Sequence, residues 1–174
     1  MEVQELLKQR IQGKKDFQGI DLSGKDLSNA YLVGVNLSGA KLIETNFHGA
    51  NLAASNLSEA NLSKADLSDA NLDEVKLMKA NLTEANLSSA NLIGVNLSQT
   101  NLSKANLTKV NLHLSCLEAA NLSEANLQFA KLGWVKLIEV NLMGADLRNV
   151  DLNGVSLNGA KMAGAIMPNG VIHS

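Results

Sequence analysis

ANLTEANLSSANLIGVNLSQTNLSKANLTK, residues 80–109, repeats every five residues: a small residue, then Asn, then Leu, then two variable positions. Stepping outward by fives, the Leu position runs without a slip from Phe17 to Met167, 31 positions of which 27 are Leu and the rest Phe17, Phe47, Met162 and Met167. Two residues before the Leu position runs a second series of small residues, mostly Ala or Val with an occasional Ser or Thr. Five is neither a helical nor a strand period. In an extended segment residues two apart share a side, so Ala85 and Leu87 face one interior with Asn86 turned outward. The step from Leu87 to Ala90 is odd, and the chain must turn through Ser88 and Ser89 to bring both pairs inside. Each pentapeptide is therefore one short extended side plus one corner, and sides in series stack as a parallel β-solenoid.

The outward charges set the number of sides per coil. At a spacing of 20, Glu44, Lys64, Glu84, Lys104 and Glu124 form one column of alternating sign, and Glu59 sits over Lys79. At a spacing of 15, Glu44, Glu59 and Glu74 stack on one another. Opposite charges on adjacent strands help by up to about 1 kcal/mol per pair and like charges cost as much. The inward series agrees, since Val35, Val75, Val95, Val135 and Val155 share one column of 20, interrupted by Ser55 and Ser115. Four sides per coil follow.

This A(N/D)LXX pattern, across roughly residues 15–167, resembles the pentapeptide-repeat family. The resemblance implies an all-β solenoid, a right-handed four-sided (quadrilateral) parallel β-helix; the handedness comes from the family alone. The sides make nearly eight coils, a rod of roughly 37 Å at the spacing of adjacent strands. The expected organisation is a capping helix over 1–13, the β-helix over 14–167 and a C-terminal cap or tail over 168–174.

The N-terminal stretch EVQELLKQRIQ breaks the pattern: Val3, Leu7 and Ile11 recur every four residues with Leu6 beside them, and Gly13 is a stop signal. An open solenoid end exposes unpaired backbone and Leu side chains, so a lid over Phe17, Ile20 and Leu22 is expected, a docking helix for a partner being the rival reading. Lys15 and Lys25 stand where small inward residues belong, so the first coil is irregular and the clean repeat starts near Ala30. At the other end Pro168 cannot donate to a ladder and Asn169-Gly170 favours a tight turn. Val171 and Ile172 are then expected to fold back as a lid, the alternative being that this end stacks on a second copy. Monomer or homodimer through a solenoid end are both open.

Composition excludes several classes. Fifteen basic and 17 acidic residues give a net charge of −2, so no strong attraction to nucleic acid or anionic lipid is expected. Cys116 is the single cysteine, leaving no disulfide within the chain. No signal-like segment begins the chain and no apolar stretch reaches membrane length; a cytoplasmic protein is expected. Aromatic residues make up only 3%, as a narrow interior that repeats one side-chain size requires.

Candidate chemistry is sparse. His48 and His113 fall in different columns several coils apart, so no shared metal site is expected. Cys116 replaces an outward Asn and has no His in its own repeat, which makes it a surface thiol rather than a nucleophile. The Asn-Leu-Ser triplets are products of the repeat, not glycosylation signals. Glycines 19, 24, 34, 39, 144, 154, 159 and 164 sit at corners, where positive φ is useful, and form no phosphate loop. The outward Asn residues stack in columns such as Asn61, Asn81, Asn101, Asn121 and Asn141, suited to amide bonds along the rod. One surface feature is out of keeping: Leu114 and Trp134 share a corner column one coil apart, with Phe129 on the preceding corner and Ile138 on the following side. These four residues are the candidate protein-interaction patch, set against incidental exposure.

No enzyme and no cofactor are expected. The sequence reads as a non-enzymatic structural or interaction module with an unidentified protein partner and no direct contact with nucleic acid or membrane. The alternative comes from the resemblance, since some members of the family bind DNA gyrase as DNA mimics. Charge opposes it: a duplex carries one negative charge per about 1.7 Å, and the Glu/Lys column neutralises itself.

Overall fold

The computed structural model describes residues 1–174. From Asp16↔Asn36 to Asp146↔Ile166, every parallel bridge joins residues 20 apart, so four pentapeptides complete one coil. One repeat accounts for all of its own backbone donors. The Asn81 N–H reaches the Ala60 carbonyl of the preceding coil at 2.9 Å, and the Leu82 and Glu84 N–H groups reach the Asn101 and Ser103 carbonyls of the following coil at 2.7 and 2.9 Å. The Ala85 N–H closes the corner on the Leu82 carbonyl at 3.0 Å. That leaves Thr83, whose N–H turns back to the Asn81 side-chain Oδ1 at 3.2 Å. The outward Asn is thus the acceptor for the one amide the coils cannot satisfy, an Asx turn. Its own amide nitrogen continues along the rod, as from Asn81 to Asn61 at 3.1 Å and from Asn121 to Asn101 at 3.2 Å.

Each corner needs positive φ at its second residue. All thirty such positions from Gly19 to Gly164 have it, and only ten are glycine. Glu, Lys, Ser and Asn fill most of the others at φ near +60°, a region that costs an L-residue roughly 1–2 kcal/mol. Corner glycines are therefore helpful, not obligatory: the stacked coils impose the conformation on whatever residue stands there.

The core is one ladder. The ladder positions from Leu22 to Leu147, every fifth residue and including Phe47, are at most 2% exposed, and Ala and Val fill the space between them. A buried Leu contributes about 1.5–3 kcal/mol, repeated at every side. Where a hydroxyl replaces Val or Ala it is satisfied: Ser55 and Ser115 donate to the Leu32 and Leu92 carbonyls at 2.7 and 2.6 Å, and Thr45 to Leu22 at 2.9 Å.

The N-terminal helix α1, Val3–Ile11, buries Leu6 completely and packs Val3 and Leu7 against the same core. Phe17 beneath it is 5% exposed. The expected seam of Val3, Leu7 and Ile11 is corrected: Ile11 is 86% exposed. A helix buries positions i, i+3, i+4 and i+7, and here that stripe is Val3, Leu6, Leu7 and Arg10. The Arg10 guanidinium donates to the Val33 carbonyl at 3.0 Å and lies over the Tyr31 ring. Lys15 and Lys25 stand at inward positions by count only. Lys15 is exposed, and Lys25 turns out to pair with Glu2 at the head of α1 at 3.1 Å.

The opposite end differs. Residues 171–173 run antiparallel to 165–167, with the Met167 N–H on the Val171 carbonyl and the His173 N–H on the Ala165 carbonyl, both at 2.8 Å. This strand seals one side of the last coil. It is no lid over the Leu ladder, because Val171 and Ile172 stay 60% and 67% exposed. Leu152, Leu157 and Met162 on the other three sides are only half-buried.

Candidate interaction surface

Leu114 and Trp134 lie in register on one edge of the rod, the Leu114 N–H donating to the Gly133 carbonyl at 2.9 Å. Both project from corner positions of positive φ, +62° and +59°, and are 59% and 72% exposed. Phe129 takes the neighbouring corner of Trp134's coil, at φ +60° and 49% exposed. Ile138 lies around the Trp134 edge on the following side and is half-buried. Leu114, Phe129 and Trp134 therefore border one face, while Ile138 belongs to the next.

The sequence patterns did not reveal what lies between them. Going round this coil, the outward residues read Phe129, Lys131, Gly133, Trp134, Lys136, Ile138 and Glu139, so that two lysines stand between the large apolar side chains. Lys131 and Lys136 replace the usual Asn, so the Gly133 and Ile138 amides lack the side-chain acceptor seen at Thr83. Both lysines are exposed, and neither is in an ion pair. From the preceding coil, His113 packs against Gly133, where an added Cβ would lie 2.5 Å from its Nδ1. A comparison of residues 20 apart could have found this seat.

The same comparison finds a second cluster that the sequence reading missed. His48 Nδ1 lies 2.9 Å from Ser68 Oγ and 3.9 Å from the Asp69 carboxylate, and Ser68 donates to Asp66 Oδ1 at 2.6 Å. The hydroxyl proton is thus directed at Asp66, and Ser68 accepts from His48. This is a hydrogen-bond chain pinning two coils together, with the wrong polarity for a nucleophile and its base. Cys116 is half-buried with Ser98 Oγ at 3.5 Å. No three His, Cys, Asp or Glu side chains converge as metal ligands, and no helix is long and apolar enough to cross a membrane.

In the Glu/Lys column the register is as expected, with the Lys64 and Glu84 N–H groups on carbonyls of the next coil at 2.9 Å. Of its neighbours only Lys104 and Glu124 approach as an ion pair, at 3.8 Å.

The profile of the family described as pentapeptide repeats, eight copies, matches residues 16–49, 45–84, 85–124 and 125–164. The chain belongs to the pentapeptide-repeat family. Among solved structures it is similar to HetL, a pentapeptide repeat protein involved in heterocyst differentiation regulation from the cyanobacterium Nostoc sp. strain PCC 7120. That match has 31% identity over 99% of this chain and 100% of HetL, at a TM-score of 0.50. A pentapeptide repeat protein of the Arabidopsis thaliana thylakoid lumen is 28% identical over 77% of this chain and 69% of its own, at a TM-score of 0.39. Full-length QnrB1, a plasmid-mediated fluoroquinolone resistance protein, is 17% identical over 84% of this chain and 92% of its own, at a TM-score of 0.28. No curated protein sequence matches the chain significantly.

Proposed function

We propose that this protein is a non-enzymatic interaction module, a right-handed rod that holds the edge around Trp134 in fixed geometry for a protein partner. The observation that carries this reading is the exposure of Leu114, Phe129 and Trp134 at corners whose positive φ disfavours large side chains. These residues bury little within the chain, so folding alone does not account for them. The helix α1 acts as the N-terminal lid, and the tail over residues 168–174 covers one side of the last coil. HetL, similar over its whole length and involved in a regulatory process, is consistent with a binding role.

DNA mimicry is the second reading, and charge disfavours it. A duplex of the rod's length presents on the order of 20 negative charges, against a net −2 here with Lys64 and Lys104 set among Glu44, Glu84 and Glu124. Affinity capture from the native host with the parent chain and with Trp134→Ala tests the module, alongside a gyrase supercoiling assay. A partner retained by the parent and lost by a stably folded variant is expected. Inhibition of supercoiling that survives the substitution would favour mimicry instead.

A further inference from the structure

We infer that the Trp134 edge takes an acidic, apolar-studded segment of a partner protein, a conclusion that rests on the interaction-module reading and specifies its ligand. Two coils carry it. Residues 109–116 and 129–136 contain Lys109, Lys131, Lys136 and His113 and no carboxylate. The three lysines are exposed and free of ion pairs, in a chain whose overall charge is negative. The cations are therefore concentrated locally, on the two faces that meet at the Leu114–Trp134 edge.

The same coil departs from the fold's own preferences at four outward positions. Phe129 and Trp134 occupy corners of positive φ, where glycine and small or polar residues are the rule along the rod. Lys131 and Lys136 forgo the Asx bond and the amide ladder that Asn supplies elsewhere. Departures that weaken the fold and cluster on one surface point to a use outside it. The placing of Lys131 and Lys136 between Phe129, Trp134 and Ile138 matches a ligand offering carboxylates between apolar side chains. Charge complementarity of this kind sets partner choice and encounter rate.

The column neighbours bound the site. Gly94 and Gly154 lie before and after Leu114 and Trp134 on their edge, so the apolar ridge is two residues long. Carboxylates close the basic zone, with Glu118 one coil before Ile138 in the same column, Glu139 beyond Ile138 and Asp151 one coil after Lys131. A nucleic-acid strand needs a positively charged groove that tracks its backbone. This surface is a convex edge, and a phosphate chain leaving it in those directions meets carboxylates.

Trp134 is the only tryptophan, so its fluorescence reports on this edge. The full chain is titrated with a short synthetic peptide alternating Glu with Leu and Phe, with the same peptide carrying Lys for Glu, and with oligothymidylate. The expected result is a blue shift with the acidic peptide alone, weakened by added salt and lost on the order of tenfold in affinity in Lys131→Glu/Lys136→Glu. Lys131→Gln/Lys136→Gln serves if the charge reversal melts the rod. Equal response to the Lys peptide, tighter binding of oligothymidylate, unchanged affinity in the lysine variants, or no response at all would each overturn the inference. A host partner lost on Trp134→Ala together with a silent acidic peptide would leave the interaction module standing and remove only the acidic ligand.

Discussion

The Asn46 side-chain amide donates to the Asp26 carboxylate across 3.0 Å, from one coil back to the coil before it. Asn36 does the same to Asp16 at 2.9 Å, and the Asn-to-Asn bonds further along run in the same direction. The ladder is directional: wherever such a bond forms, the amide gives its nitrogen to the preceding coil. The first coil has nothing before it to receive a donor, and it carries Asp16, Asp21 and Asp26, which only accept.

Reversing that logic should be costly. Asn46→Asp sets two carboxylates against each other, which destabilises by about 1 kcal/mol. The melting temperature should fall at neutral pH and recover as acid protonates one of the pair. An unchanged neutral melt would show that the ladder contributes nothing.

Acid should loosen the rod. Hydrogen bonds from Arg148 lead the causes that hold the Asp146 carboxyl below its ordinary 3.8, with Gln128 adding to them. Asp21 and Asp26 are lowered chiefly by the backbone N–H groups of Ser23 and Ser28. A depressed folded pKa gives stability that is present above the unfolded value and lost as pH falls through the folded one. Denaturant unfolding should therefore be flat from neutral pH down to the usual carboxylate range and weaken below it, with a shallower fall in Asp146→Asn. An equally steep fall in that variant would remove Asp146 from the account.

Core truncations should depend on position along the axis. Leu107 is 1% exposed, whereas Leu157 is half-buried in the unsealed last coil. Leu107→Ala should cost about 2–5 kcal/mol and Leu157→Ala clearly less, read from urea midpoints. Equal losses would mean the last coil is as well covered as the middle.

His113 and Gly133 should behave as a coupled pair. Gly133→Ala drives a methyl into the imidazole and should lower the melting temperature. His113→Ala should rescue most of the loss, a coupling within the 0.5–3 kcal/mol seen for residues in contact. Additive effects in the double-mutant cycle would contradict the contact.

Trp134→Gly should fold at least as stably as the parent, since glycine adopts the required +59° without strain. A large drop in melting temperature would mean that Trp134 serves the fold, and the case for a binding edge would weaken accordingly.

The period was legible because each pentapeptide must place two small-or-Leu positions inward, and the Glu44 to Glu124 column could choose four sides without coordinates. The Asn residues were legible as columns, but their Asx role was not: it depends on which backbone N–H is left over once neighbouring coils pair, as at Thr83. The helix seam was misread because spacing by four alone favoured Ile11, while docking selected the stripe through Leu6 and Arg10. The candidate patch residues were visible as odd corner side chains. Their interleaving with Lys131 and Lys136 becomes visible once the residues are placed around a coil.

By itself the sequence determined the coil length, the Leu axis and the outward columns, because a strict period of five puts the same positions inside on every side and the outward charges pair only at a spacing of 20. Tertiary structure alone decided the rest. It turned Lys25 toward Glu2, directed the hydroxyl of Ser68 at Asp66, and paired residues 171–173 with one side of the last coil while leaving the others uncovered. Those outcomes depend on contacts across coils and at the rod's ends, where the repeat no longer dictates what each residue meets.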